Sequence, residues 1–316
     1  MPSALVVLSS GIGNCVRWTP LIRALHELQY KVDVMLDDVD YPETIELLRG
    51  APEIRTLTMS MIPGLKYDVA IVARYAHVCD DDLPAAKILR YPRELWKQHG
   101  DNIAAQMHAR ALGYEQRLMP HPFVMTSARE FPLAQDTICL HAGCKAGWNW
   151  KRWPYFDVLA AYFASVVVVG TAEDEIPVSW PSHVQNYVGT LSLVDTAALI
   201  RSCVAFVGND SGLAHVAAAL DVETFPIFGI TRPAREAMPL PNVHAITNRS
   251  ACHESCIALP HNARTCVRQL ACLKSLTPRE VLERMRSVFT LERGATIRGL
   301  TPNMPDGAEI HETADD

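Results

Sequence analysis

At 316 residues, 49% hydrophobic and 20% charged, the chain has an ordinary globular composition and is too long for one typical core, so two domains are expected. A formal net charge of −6 with no basic stripe argues against a general nucleic-acid binder. No stretch has the roughly 18 uninterrupted apolar residues of a membrane helix, and the opening Met-Pro-Ser-Ala-Leu-Val-Val-Leu lacks a basic start and a cleavable apolar region, so a cytoplasmic protein is expected, its nine cysteines reduced.

In chain order, Ala4–Leu8 reads as a buried strand, and Leu21, Ile22, Leu25 and Leu28 mark a helical stripe. Lys31–Leu36 is the next strand, Pro42–Leu48 a short helix, and Ile54–Thr58 and Tyr67–Ala73 further strands. Leu95 to Leu112 is a longer helix with Gly113 as its C-cap. Pro120, Pro122 and Pro132 make the aperiodic stretch 118–136 a linker candidate. A second series follows, with strands Thr137–His141, Val166–Gly170, Val204–Gly208 and Thr224–Phe228. Its helices are Pro154–Ala164, Val194–Ser202 and Gly212–Leu220, and Pro278–Leu291 is a final helix before a polar, loosely held tail. The pattern is α/β: two Rossmann-like domains with parallel sheets facing a central cleft, spanning about 1–130 and 131–277, then a helix over 278–292 and a tail over 293–316. Ligands in such sheets bind at the carboxyl ends of strands, so the turns after Leu8, His141, Gly170 and Gly208 are the places to look.

The most informative turn is Val207-Gly208-Asn209-Asp210-Ser211-Gly212 leading into Leu213, Ala214 and His215. A strand, a tight polar turn and a helix start offer backbone N–H groups and a helix dipole to a phosphate. The same residues also fit an ordinary turn with Asp210 or Ser211 as N-cap. After His141 come Gly143, Lys145, Gly147, Lys151 and Arg152 among three tryptophans, a set that can neutralise a diphosphate. The alternative is a solvated basic loop with Trp153 in the core. Glu173 and Glu175, after a four-valine strand, could accept bonds from ribose hydroxyls or simply form an acidic helix start. The first turn, Ser9 to Asn14, carries Gly11 and Gly13 but lacks the third glycine of the dinucleotide fingerprint. It reads equally as a glycine turn followed by a helix capped by Thr19 with Pro20 as its first residue. Cys252, Cys256, Cys266 and Cys272 fall close enough to hold zinc or iron tetrahedrally as a structural site, or are thiols without metal; His253 and His261 are alternative ligands.

Together these motifs resemble glycosyltransferase family 9, the heptosyltransferase family of GT-B fold. The resemblance rests on Lys151-Arg152-Trp153-Pro154, Gly189-Thr190-Leu191-Ser192-Leu193, Gly208 through His215, and Phe228-Gly229-Ile230-Thr231-Arg232-Pro233-Ala234-Arg235. It implies inverting transfer of a sugar from a nucleotide sugar such as ADP-heptose to a saccharide or protein hydroxyl, without an organic cofactor. The first domain would take the acceptor and the second the donor. By the resemblance, Lys151 stabilises the leaving diphosphate; Asp210, Ser211, Gly212 and His215 hold the donor; Glu173 or Glu175 meets the nucleoside, with Gly143, Lys145 and Leu191 in the same donor-binding set. It also implies a four-cysteine iron site, as in autotransporter heptosyltransferases. One departure matters: well-understood members carry Asp as general base where this chain has Asn14, and an amide takes no proton at neutral pH. Asp80, Asp81 or Asp82 is expected to substitute. The other expectations kept open are a GT-B sugar-nucleotide epimerase and a catalytically weak nucleotide-sugar-binding subunit. No nucleic-acid partner and no membrane span are expected, with peripheral association at the inner membrane left open.

Overall fold

The computed structural model describes residues 1–9, 11–37, 41–74, 76–144, 147–174, 179–248, 266 and 268–292. The first half contains β1 (Ser3–Ser9), α1 (Ile12–Glu27), β2 (Lys31–Asp37), β3 (Thr56–Thr58), β4 (Val69–Val72), β5 (Ile88–Arg90) and α2 (Arg93–Ala111). The second contains β6 (Ile138–His141), α3 (Phe156–Ala160), β7 (Val166–Val168), β8 (Val184–Asn186), α4 (Leu193–Arg201), β9 (Ala205–Asn209), α5 (Gly212–Ala219), β10 (Glu223–Ile227), α6 (Pro233–Glu236), α7 (Ala271–Lys274) and α8 (Pro278–Glu292). Two five-stranded sheets result, in the orders β3-β2-β1-β4-β5 and β10-β9-β6-β7-β8, with every pairing parallel.

Parallel strands buried on both faces read as unbroken apolar runs, and β1 and β4 do so here. Val6, Leu8, Trp18, Leu21 and Ile22 fill one side of the first sheet, while Leu5, Val7 and Val72 fill the other. In the second half Leu140, Trp153, Phe225 and Met285 pack on one side. On the other side Cys139, Phe206, Ile200, Leu213 and Ala214 share a buried cluster with Val16 and Leu47 of the first half. The two halves therefore touch through apolar side chains as well as polar ones. In each sheet the strand order reverses beside the first strand, between β1 and β4 and between β6 and β9. Crevices at such reversals take ligands in open α/β sheets.

Several expectations shift. The first helix does not begin at Pro20: α1 starts at Ile12, directly after the Gly11 turn, and Pro20 lies inside it. Proline cannot donate to the carbonyl four residues back, and the Thr19 hydroxyl donates to that carbonyl, Val16 O, at 2.8 Å. The long helix α2 is broken at Gly100 (φ 72°), where a β-carbon would lie 2.5 Å from the Arg235 carbonyl oxygen, so the break admits α6. The expected helix Pro154–Ala164 is regular only over Phe156–Ala160. The short edge strands β5 and β8, three residues each, have too little pattern to be read from sequence. No described helix is long and apolar enough to cross a membrane.

Candidate active site

The seam between the halves is built on two helix starts. At Gly13 a β-carbon would sit 2.5 Å from His215 Cδ2, and at Gly212 one would sit 2.7 Å from Ile12 Cβ. Only glycine permits α1 and α5 to meet this closely.

Asn209, at the end of β9, ties the second lobe together. Its Nδ2 donates to the Ala142 and Gly143 carbonyls at 2.9 and 3.0 Å, and its Oδ1 accepts the Trp153 N–H at 2.9 Å. The Trp153 indole in turn donates to Leu276 O at 2.7 Å, fixing the Lys-Arg-Trp-Pro segment on the core. That anchoring places Lys151 against Asp210, Nζ to Oδ2 2.6 Å, with Nζ also 4.9 Å from the Trp148 ring centre. Thr231 donates to the same carboxylate oxygen at 2.7 Å. Burial opposes ionisation of Asp210, but Lys151 and Thr231 outweigh it and hold the carboxyl below its usual range. His215 is driven down to about 3, first by burial and then by the Arg17 charge, so its ring is neutral at pH 7.

Arg17 on α1 crosses the seam. It contacts Asp101 at 2.9 Å and Glu236 at 3.0 Å, and donates to Asn14 Oδ1 at 2.8 Å. Burial works against its charge, yet Asp101, Glu236 and Asp210 raise its pKa above the ordinary arginine value. Arg235 pairs with Glu236 as well. Asn102 donates to Ala237 O at 2.8 Å, a second bond across the same seam.

Beside the β6 end lies a cavity of about 250 Å³, lined in part by Gly143, Val169, Ala172, Asp174, Trp180 and Asn186. Asp174 is buried and accepts from the Cys144 and Thr171 N–H groups, each at 2.9 Å. Burial raises its pKa, but His141 and the Thr171 bonds bring it below the usual value.

The structure thus brings Lys151, Asp210, Ser211, Gly212 and His215 to one place, with Asn14 across the seam and Gly143 at the neighbouring cavity. Glu173 is exposed and does not line that cavity; Asp174, its neighbour, does. Leu191 packs half-buried against the apolar cluster shared by the halves. Lys145 and Glu175 lie outside the described residues, as do Cys252 and Cys256. Of the other two cysteines, Cys272 is buried and Cys266 Sγ accepts the Leu270 N–H at 3.4 Å. No group of three metal-ligating side chains converges among the described residues. Asp80, Asp81 and Asp82 form an exposed turn in which Asp80 pairs with Arg90. Sequence reasoning did not single out Arg17, Asp101 or Glu236. The one signal for Arg17 was its place three residues after Asn14, on the same helical face.

Two parallel five-stranded sheets, with polar turns facing one another across a seam, are the GT-B arrangement. Residues 102–267, over half of the chain, match the model of glycosyltransferase family 9 (heptosyltransferase), and the protein belongs to that family. It is 32% identical over 98 residues to lipooligosaccharide heptosyltransferase 2 of Haemophilus influenzae, an alignment covering 26% of this chain and 28% of that protein. It is 28% identical over 214 residues to lipopolysaccharide heptosyltransferase 1 of Pseudomonas aeruginosa, covering 63% of this chain and 57% of that one. The chain therefore spans about a quarter to just over half the length of these relatives. Among solved structures, the ADP-heptose lipopolysaccharide heptosyltransferase II of Escherichia coli superposes with a TM-score of 0.64 at 20% identity, covering 92% of this chain and 99% of that chain. The iron-containing dodecameric glycosyltransferase TibC of enterotoxigenic E. coli superposes with a TM-score of 0.64 at 16% identity, covering 93% and 80%.

Proposed function

We propose that the protein is an inverting glycosyltransferase that acts in the cytoplasm, with the 131–277 half holding a nucleotide sugar and the 1–130 half presenting the acceptor. The observation that carries this reading is the Lys151–Asp210 pair, set beside the start of α5 and across the seam from Asn14. The donor that fits the family is ADP-heptose, and the acceptor class is a saccharide or protein hydroxyl. In the reaction the acceptor oxygen attacks the anomeric carbon from the face opposite the diphosphate. The carbon–oxygen bond to the diphosphate breaks, and the acceptor proton passes to a base. The departing diphosphate gains negative charge, which the Lys151 ammonium and the α5 backbone amides offset. The cavity beside Gly143 and Asp174 is the place for the nucleoside. A panel of nucleotides and nucleotide sugars tests this: the true donor raises the melting temperature by mass action. A panel including ADP-heptose that produces no shift overturns it.

Asn14 makes the base the open chemical question. Its Oδ1 faces Arg17 rather than waiting for a proton. We propose that a carboxylate of the Asp80–Asp82 turn serves instead; full turnover in all three single alanine variants refutes that. The second reading, a donor-binding subunit without transfer, is favoured by Asn14 alone. Donor binding without transfer across acceptors supports it, and conversion of donor with no acceptor present marks an epimerase instead. A zinc or iron site at Cys252, Cys256, Cys266 and Cys272 would be structural. Elemental analysis of freshly purified, reduced protein should find one equivalent of metal, and less than that argues against the site.

A further inference from the structure

Ser211 stands at the N-cap of α5, yet its side chain accepts no bond from the helix. Ser192, at the N-cap of α4, behaves in the usual way and accepts the Asp195 N–H at 3.2 Å. The difference has a visible cause. His141 Nδ1 lies 3.0 Å from Ser211 Oγ, and His141 Nε2 lies 3.5 Å from Asp174 Oδ2. Asp174 is itself held by the Cys144 and Thr171 amides and by the Thr171 hydroxyl at 3.1 Å. An ionised carboxylate only accepts, so Nε2 donates to Asp174, and in the neutral ring Nδ1 presents its lone pair to Ser211. The Ser211 hydroxyl therefore donates to His141, and its oxygen is turned toward the imidazole instead of the helix. The ring has little freedom to do otherwise. His141 is buried at the end of β6, opposite Gly208, where a β-carbon would meet His141 Cβ at 3.2 Å, and it lies against Phe206 at 6.4 Å between ring centres.

We propose that His141 and Asp174 are positioning residues that keep the Ser211 hydroxyl from capping α5, so that the diphosphate of the nucleotide sugar receives those amides. The proposal rests on the donor-site reading above. A capping serine and a diphosphate compete for the same N–H groups, so without His141 the protein's own hydroxyl becomes the competitor.

The test is titration calorimetry with ADP on the full chain. Wild type binds. His141→Phe keeps the packing on Phe206 but cannot accept from Ser211, and its affinity for ADP falls about fivefold, the worth of one N-cap bond. Ser211→Ala, which has no hydroxyl to cap with, sets its own baseline affinity, since Ser211 belongs to the donor-binding set. The double variant, His141→Phe with Ser211→Ala, binds within about twofold of Ser211→Ala alone, because no hydroxyl remains to compete, which a merely structural role for His141 does not allow. His141→Leu serves the same comparison if the phenyl ring is not tolerated. Unchanged affinity in the histidine variants, or a loss from His141→Phe that is just as large in the Ser211→Ala background, overturns the proposal while leaving the donor site standing. A wild type that binds no ADP overturns the donor-site reading, and this proposal with it.

Discussion

Replacing Lys151 with methionine separates a buried pair from a surface one. The Lys151 side chain is 16% exposed and Asp210 6%, so the 2.6 Å contact is shielded from water on both sides. An exposed pair is worth about 0–1 kcal/mol, whereas removing one partner of a buried pair costs about 3–5 kcal/mol because the other charge stays buried. Thr231 still donates to Asp210 at 2.7 Å, which sets the expected loss near the lower end, about 3 kcal/mol. The sign with pH follows from the lowered Asp210 pKa. A depressed carboxyl contributes stability above its unfolded value of about 3.9, and that contribution is lost as pH falls through the folded value. The gap between wild type and Lys151→Met is therefore full at pH 7 and closes below about pH 4. Urea unfolding at both pH values measures it. Adding Asp210→Asn removes the stranded charge and recovers most of the loss at pH 7. A single variant within about 1 kcal/mol of wild type at pH 7, or a double variant no better than the single, refutes the reasoning. Under the transferase reading, turnover of Lys151→Met falls about a hundredfold or more while the cores stay folded.

Arg17→Met takes the cation from Asp101, whose side chain is 2% exposed, while Glu236 keeps Arg235; it should cost about 3 kcal/mol in urea unfolding, partly recovered by adding Asp101→Asn. Gly13→Ala drives a methyl into His215 Cδ2 at 2.5 Å; it should abolish turnover for a stability cost of about 1–3 kcal/mol, read by assay and thermal melt together. His108 is lowered to about 4 by burial, so the unfolded chain takes up a proton there that the folded one refuses. Stability should therefore fall as pH drops from about 6.5 to 4, and His108→Phe should flatten that slope by up to about 1.4 kcal/mol per pH unit.

The alternating strands and helices were legible because their apolar runs are long and turn-bounded, as in Ala4–Leu8 and Val204–Gly208. The Lys-Arg-Trp-Pro and Gly-Asn-Asp-Ser-Gly segments stood out because glycines, cations and a strand end fall together, and the structure brings them into contact through Lys151 and Asp210. The start of α1 was not, since Pro20 normally opens a helix, and only the Thr19 hydroxyl reaching Val16 O explains its place inside one. The Arg17–Asp101–Glu236 bridge was invisible for a different reason. Its members stand 84 and 219 residues from Arg17, and nothing local in the chain records that they meet. The turn offers Glu173 and Asp174 alike to a reader of the sequence; only the fold shows that Glu173 is exposed and that Asp174 is buried against the Cys144 amide.

The meeting of Ile12–Gly13 with Gly212–His215 sets two macrodipoles head to head. Neither helix carries an acidic residue in its first turn, and neither N-cap residue, Gly11 or Ser211, bonds its helix through a side chain. The formal charges nearby cancel, with Lys151, Arg17 and Arg235 matching Asp210, Asp101 and Glu236. Beyond those pairs, the two helix starts add the positive polarity of their peptide columns at the join. An anion lodged there draws on both at once, so filling the crevice and cementing the lobes are linked equilibria.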